Sequence, residues 1–391
     1  MRIAVSRAPN AERDVSPLEL FFELVYVIAG GGVAGLETLT ALRALAGARV
    51  DLTLVAPEDE FVYRPLAVVE PFAVDRVRRI PLAGAARDAG AAFVAGTVEA
   101  VDPDKRTVST SAHRSLEYDA LVLAVGANAV PVVAHATTWD DRSDADTFGG
   151  LQSDIEQGYT RRLAIVITSG PTWPLRAYEL ALLMTTQAKS MSIELETTIV
   201  TPVPSPLALL GSEAAQPVSN ELELAGVAVV SAAQVDVEQG RSATVVLQPS
   251  GRRLEVDRVV ALPALYGRPI AGIPADADGF FDVDEHCRVR GLDGVWAVGD
   301  NTAFPLKSGG FAAEQADVAS EDLAAVAGAD IQPRLFDPAH HQELAGLPAG
   351  SFLKAWLADG DDALTTHLPS VGVTVLTYLQ RDLEAGWRGG A

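Results

Sequence analysis

The stretch Val25-Tyr26-Val27-Ile28-Ala29-Gly30-Gly31-Gly32-Val33-Ala34-Gly35-Leu36-Glu37 decides the fold. An apolar run short enough for one buried strand stops at three glycines, and apolar residues then return at helical spacing at Val33, Leu36, Leu39 and Leu42. The pattern predicts a strand, a tight turn and a helix. Gly30, Gly32 and Gly35 fit Gly-x-Gly-x-x-Gly. In that motif the first glycine permits the turn, the second lets a pyrophosphate approach the backbone, and the third lets the helix pack on the strand. The unpaired N–H groups and the dipole at the helix start favour an anion. The stretch therefore reads as a site for a dinucleotide held by its pyrophosphate.

Downstream, the helix is expected to end near Gly47, and Val50 to Val55 reads as the second parallel strand of a βαβ unit. An acid that binds ribose hydroxyls belongs near the end of that strand. Ala56 stands there, and the nearest acid is Glu58 behind Pro57, either a ribose ligand or a solvated loop carboxylate. Upstream, Met1 to Val5 starts like a strand, but polar residues follow. The segment from Ser16 to Val27 resembles the N-terminal motif of low-temperature-requirement A membrane proteins, a resemblance that ends at the glycines. Residues 1–24 are set apart as an extension without an assigned role.

The chain has 391 residues, 48% of them hydrophobic, which is enough for two or more domains with their own cores. A net charge of -22 argues against nucleic acid and anionic lipid surfaces, which need clustered Lys and Arg. The single cysteine, Cys287, rules out an internal disulfide, a Cys-x-x-Cys redox pair and a cysteine-based zinc site. His340 and His341 have no acid or thiol partner at ligand spacing, so no metal site is predicted. The longest apolar stretch, Phe21 to Leu36, contains Glu23 and four glycines, and no membrane span or leader is read from it. The cytoplasm is the expected location.

Three motifs in order carry a resemblance to a known family. They are the glycine fingerprint, the strand Tyr118-Asp119-Ala120-Leu121-Val122-Leu123-Ala124-Val125-Gly126, and Gly294-Val295-Trp296-Ala297-Val298-Gly299-Asp300. Together they resemble the two-dinucleotide-domain flavoproteins that include type II NADH dehydrogenases, sulfide:quinone oxidoreductases and pyridine-nucleotide-disulfide reductases. The resemblance implies a doubly wound α/β fold with two Rossmann-like domains. It implies an FAD domain split into residues 25–150 and 275–330, an inserted NAD(P)-type domain over 151–274, and a C-terminal module over 331–391. It further implies that Gly126, Gly299 and Asp300 contact FAD, with Asp300 accepting hydrogen bonds from the ribityl chain. Arg64, in Phe61-Val62-Tyr63-Arg64-Pro65, is a candidate contact at the flavin face. Gly310 lies at the start of a helix running to about Ala327 that points at the flavin pyrimidine in the family. Lys307 is the candidate cation for that ring, or else a solvated loop lysine.

The second domain departs from the family pattern. After the predicted strand Leu163 to Thr168 the chain reads Ser169-Gly170-Pro171-Thr172-Trp173-Pro174-Leu175-Arg176-Ala177-Tyr178-Glu179-Leu180-Ala181. Family members carry a second glycine-rich turn here, and this chain has a longer Trp-Pro segment. Either NAD(P)H binds differently or the domain is only a scaffold. Glu179 resembles the family glutamate on the helix facing the flavin and is the acid nominated for the chemistry.

The expected function is FAD-dependent transfer of hydride or electrons from NAD(P)H or another small donor to a quinone-like acceptor. Without redox cysteines, the flavin alone carries that chemistry. The competing reading is a non-catalytic flavin-binding or interaction protein. In the tail, Ser351 to Leu357 and Val373 to Trp387 are predicted as short helices without a basic face. Tails of the family often dock on a membrane surface or form a homodimer, and the lack of a basic face disfavours the membrane surface here.

Overall fold

The computed structural model describes residues 24–62, 79–139, 145–206, 212–240 and 242–336. Arg64, the segment before Leu24, both tail helices and the paired histidines lie outside the described residues.

The opening stretch forms a strand, Leu24–Ala29, and helix α1, Val33–Ala46, capped by Gly47. The strand is central in a five-stranded parallel sheet whose order is Val295–Ala297, Ala120–Leu123, Leu24–Ala29, Val50–Ala56, Ala92–Ala95. These strands read as continuous apolar runs because both faces of the sheet are covered. Alternation along them sorts the side chains. Tyr26, Ile28, Leu54 and Val122 join the helices' core, whereas Val27, Ala29, Val55 and Leu123 pack against Val98, Val101 and Val108. The last three belong to an antiparallel sheet of the strands Val98–Asp102, Thr107–Thr110 and Ser115–Glu117.

The remaining helices are α2 (Leu82–Asp88), α3 (Ala145–Glu156), α4 (Leu175–Ser190), α5 (Ser212–Ala225) and α6 (Gly309–Val326). A second parallel sheet repeats the first plan, in the order Thr137–Thr138, Arg258–Ala261, Arg162–Val166, Glu196–Val200, Ala228–Val230. Its faces meet α4 and α5 on one side and a three-stranded antiparallel sheet, residues 234–256, on the other. The chain crosses between the two halves through an antiparallel pair, Asn128–Val130 with Ala264–Tyr266.

The two halves share a core. α1 and α6 pack together over the first sheet, and Leu175, Tyr178 and Leu182 of α4 join the same apolar cluster as Phe311 and Ala312 of α6. Asp322 of α6 fixes that helix to the first sheet. It accepts two hydrogen bonds from Arg288, both at 2.7 Å, and one from Trp296 Nε1 at 2.9 Å.

Candidate functional site

The strand Leu24–Ala29 ends because Gly30 takes φ +121°, a region closed to most L side chains, while its N–H donates to the Val55 carbonyl at 2.8 Å. A Cβ on Gly30 would lie 2.1 Å from the Ala124 carbonyl oxygen, and one on Gly35 would lie 1.8 Å from the Gly30 oxygen. Helix α1 thus rests directly on the turn. Gly32 is different. Its backbone is extended (φ -83°, ψ -170°), it caps α1 without a side-chain hydrogen bond, and a Cβ there would meet nothing within 4 Å. The bare helix start opens on a cleft.

The second wall of that cleft is the turn after Val295–Ala297. The predicted strand through Asp300 stops at Ala297, because Gly299 adopts φ +81° and starts a short 3₁₀ turn, Gly299–Asn301. Side-chain hydrogen bonds hold the turn. Gly299 N–H donates to Gln315 Oε1 at 2.7 Å, Asn301 Nδ2 donates to the Leu123 carbonyl at 2.8 Å, and Thr302 Oγ1 donates to the Gly299 carbonyl at 2.9 Å. Asp300, at the middle of this turn, lines the cleft. Sequence reading missed Gln315, Asn301 and Thr302. The available signal was a polar Gln315 among the small apolar residues Ala312, Ala313 and Ala316 of α6.

Helix α6 opens on the same cleft through Ser308 and Gly309, and Ser308 Oγ caps it by accepting from Phe311 N–H at 3.2 Å. A serine before a helix is a capping signal that the glycine pair obscured. Gly310 is the second residue of α6 and is half-buried. Glu58 is exposed on the loop after Val50–Ala56 and lines the cleft, as does Gly126, whose φ of +70° is set in open space.

Lys307 is not a solvated loop lysine. It is 4% exposed, lines the cleft, donates from Nζ to the Thr302 carbonyl at 2.5 Å, and lies 4.2 Å from the centre of the Phe280 ring. Burial pushes its amine down to about 8, against the attraction of Asp300 and Asp276. Glu179 is 6% exposed on α4 and is not among the residues that line the cleft; Arg176, one turn earlier, is. Burial raises the Glu179 carboxyl to about 8, an effect that Arg176 only partly opposes. Cys287 is fully buried, and burial with the nearby Asp284, Glu314 and Asp322 pushes its thiol well above the ordinary range. A buried, protonated thiol away from the cleft is inert. Among the described residues no three His, Cys, Asp or Glu side chains gather as a metal site, and no helix is long and apolar enough to cross a membrane.

The family described as pyridine nucleotide-disulphide oxidoreductase matches residues 25–322. The chain belongs to that family. FAD is the cofactor of these oxidoreductases, and NAD(P)H is a substrate or second cofactor. Among curated relatives, a sulfide-quinone reductase of Aquifex aeolicus is 32% identical over 105 residues, covering 26% of this chain and 24% of its own length. An NADH dehydrogenase-like protein of Mycobacterium tuberculosis is 35% identical over 141 residues, covering 32% of each chain. The matched stretches thus span about a quarter to a third of these relatives. Among solved structures, the Aquifex aeolicus sulfide:quinone oxidoreductase superposes with TM-score 0.70 at 20% identity, covering 78% of this chain and 77% of its own. A ferredoxin reductase from Rhodopseudomonas palustris gives TM-score 0.59 at 19% identity over 80% and 78%. At such identities the likeness is one of fold.

Proposed function

We propose that this protein binds FAD in the cleft and passes electrons from a small donor to a quinone-like acceptor without using a thiol. The observation that carries this reading is Gly32, a bare helix start facing empty cleft, between two glycines packed so tightly that no side chain fits. That combination suits a pyrophosphate and supports the reading. In this reading Gly30, Gly32 and Gly35 hold the pyrophosphate, Glu58 the ribose hydroxyls, and Gly126, Gly299, Asp300 and the start of α6 the remainder. Residues 25–150 and 275–330 form the FAD domain, 151–274 the inserted domain and 331–391 a C-terminal module. Arg64 remains a proposed contact on sequence grounds.

When bound, FAD supplies a ring that accepts and releases electron pairs. The protein's own groups set the conditions around it. The α6 start and the Lys307 ammonium put positive potential at one end of the cleft, which favours charge developing there. Because the Lys307 amine is pushed down to about 8 by burial, that charge is present at neutral pH and fades above it. Glu179, raised to about 8 by burial, stays protonated at neutral pH and can hold a proton beside Arg176. With Cys287 buried and protonated, no sulfur relay is available.

The donor is proposed as NAD(P)H or another small reductant, the acceptor as a quinone, and the location as the cytoplasm. The supports are the membership of the family, the quinone-linked relative and the absence of an apolar spanning helix among the described residues. The test is to release the cofactor from purified protein, identify it as FAD or FMN, and then mix donors anaerobically while following the flavin absorbance. A colourless protein that takes up no FAD on incubation sinks the proposal.

A further inference from the structure

Within this chain the two parallel-sheet halves can be compared directly. In the first, Gly32 leaves the start of α1 bare. In the second, the matching turn between Arg162–Val166 and α4 is Ser169-Gly170-Pro171-Thr172-Trp173-Pro174, and it is used for something else. Thr172 is buried and bridges in parallel to Leu306, and its carbonyl accepts from Lys307 N–H at 3.3 Å. Trp173 packs edge-on against Phe311 of α6, ring centres 6.4 Å apart. Pro174 caps α4 and has no N–H to offer. The turn fastens one half of the molecule to the other. The ribose end of a dinucleotide fares no better. It is read by an acid, or for a 2′-phosphate by a base, near the end of the second strand. Here Glu196–Val200 is followed by Thr201, fully buried, then Pro202-Val203-Pro204, and no charged residue occurs from Thr197 to Ser212. Among the described residues of 196–240, none lines the cleft.

What the half built on the second sheet, which includes the strand Thr137–Thr138, does present to the cleft is Trp139, Trp173, Arg176 and Arg268 around an apolar floor of Leu262 and Pro263. Indole faces accept flat rings, and a guanidinium fork matches a carboxylate. The acids of the cleft, Glu58, Glu60 and Asp300, belong to the glycine half. We infer that the second half does not hold a nicotinamide dinucleotide and that its face of the cleft takes a planar aromatic anion instead. This rests on the reading above that the glycine half holds FAD.

The test is calorimetric titration of the FAD-loaded protein with NADH, NADPH, 2-naphthoate and its neutral counterpart 2-naphthamide, with FAD per chain measured on the same samples. Neither nucleotide should saturate below about 1 mM, and 2-naphthoate should bind at least about tenfold tighter than the amide. Arg176→Gln or Arg268→Gln should erase that preference while FAD content stays the same. Micromolar saturation by NADH that is lost in Trp173→Ala would make the loop a nucleotide clamp and overturn the inference. Equal affinity for acid and amide, or no binding of either, overturns the anion subsite. A chain that takes up no FAD defeats the flavin reading alone, and NADH titrated into that chain still decides the nucleotide question.

Discussion

Gly32→Ala and Gly35→Ala are chemically the same change three residues apart, and the structure gives them opposite consequences. At Gly32 the backbone is extended and the added methyl meets nothing within 4 Å. Loss of unfolded-chain freedom stabilises by about 0.4–1 kcal/mol, and alanine is a poorer N-cap than glycine by a similar amount. The two nearly cancel, so the melting temperature of cofactor-free protein should stay within about 2 °C of the parent. The methyl does occupy the space assigned to the pyrophosphate. Overpacking costs about 1–3 kcal/mol, which weakens FAD binding roughly 5–140-fold. At Gly35 the methyl would sit 1.8 Å from the Gly30 oxygen and 2.9 Å from its carbon, both backbone atoms. Strand and helix must then part, and both the cofactor-free melting temperature and FAD uptake should fall. The assay is scanning fluorimetry of both stripped variants, followed by titration with FAD and recovery of its fluorescence. Unchanged FAD affinity in Gly32→Ala, with the fold intact, would refute the assignment of that open space to the cofactor.

The Glu179 carboxyl is raised from an ordinary 4.5 to about 8, so the fold holds a proton there that the unfolded chain releases. The associated stability is complete below about pH 4.5 and falls as pH rises to about 8, by roughly 5 kcal/mol as an upper bound. Glu179→Gln should therefore match the parent's melting temperature near pH 5 and exceed it by a few degrees near pH 8.5; a constant difference across that range would contradict the burial argument. Cys287→Ala should keep FAD and electron transfer at a cost of roughly 1 kcal/mol, and the native thiol should resist alkylation until the protein unfolds. Rapid labelling of folded protein would show the sulfur to be accessible. Asp322→Ala removes the acceptor for Arg288 and Trp296 and should cost about 2 kcal/mol, with Asp322→Asn recovering part of it in thermal unfolding. No change on removal would mean that the bidentate pair contributes nothing net.

The sequence by itself determined the parallel sheet and its glycine turn. Strand length, the run from Val25 to Ala29 and the helical return of Val33, Leu36, Leu39 and Leu42 are local patterns, and local patterns fix local backbone. It also excluded a two-thiol relay, because that follows from counting one cysteine; the inertness of Cys287 itself follows from its burial in the fold. Tertiary structure decided what each glycine is for. Gly30 and Gly35 are required by contacts with Ala124 and with each other, and of these three motif glycines Gly32 alone faces empty space. Lys307, read as either a flavin cation or a solvated lysine, became a buried amine held by Thr302 and Phe280, because segments distant in sequence close over it. Glu179 is buried and does not line the cleft that Arg176 lines, a matter of which face of α4 the shared core covers. The Trp173-Pro174 segment showed in sequence only that a glycine was missing. That it fastens onto Leu306 and Phe311 depends on how the two halves meet, and no residue pattern within either half encodes that long-range contact.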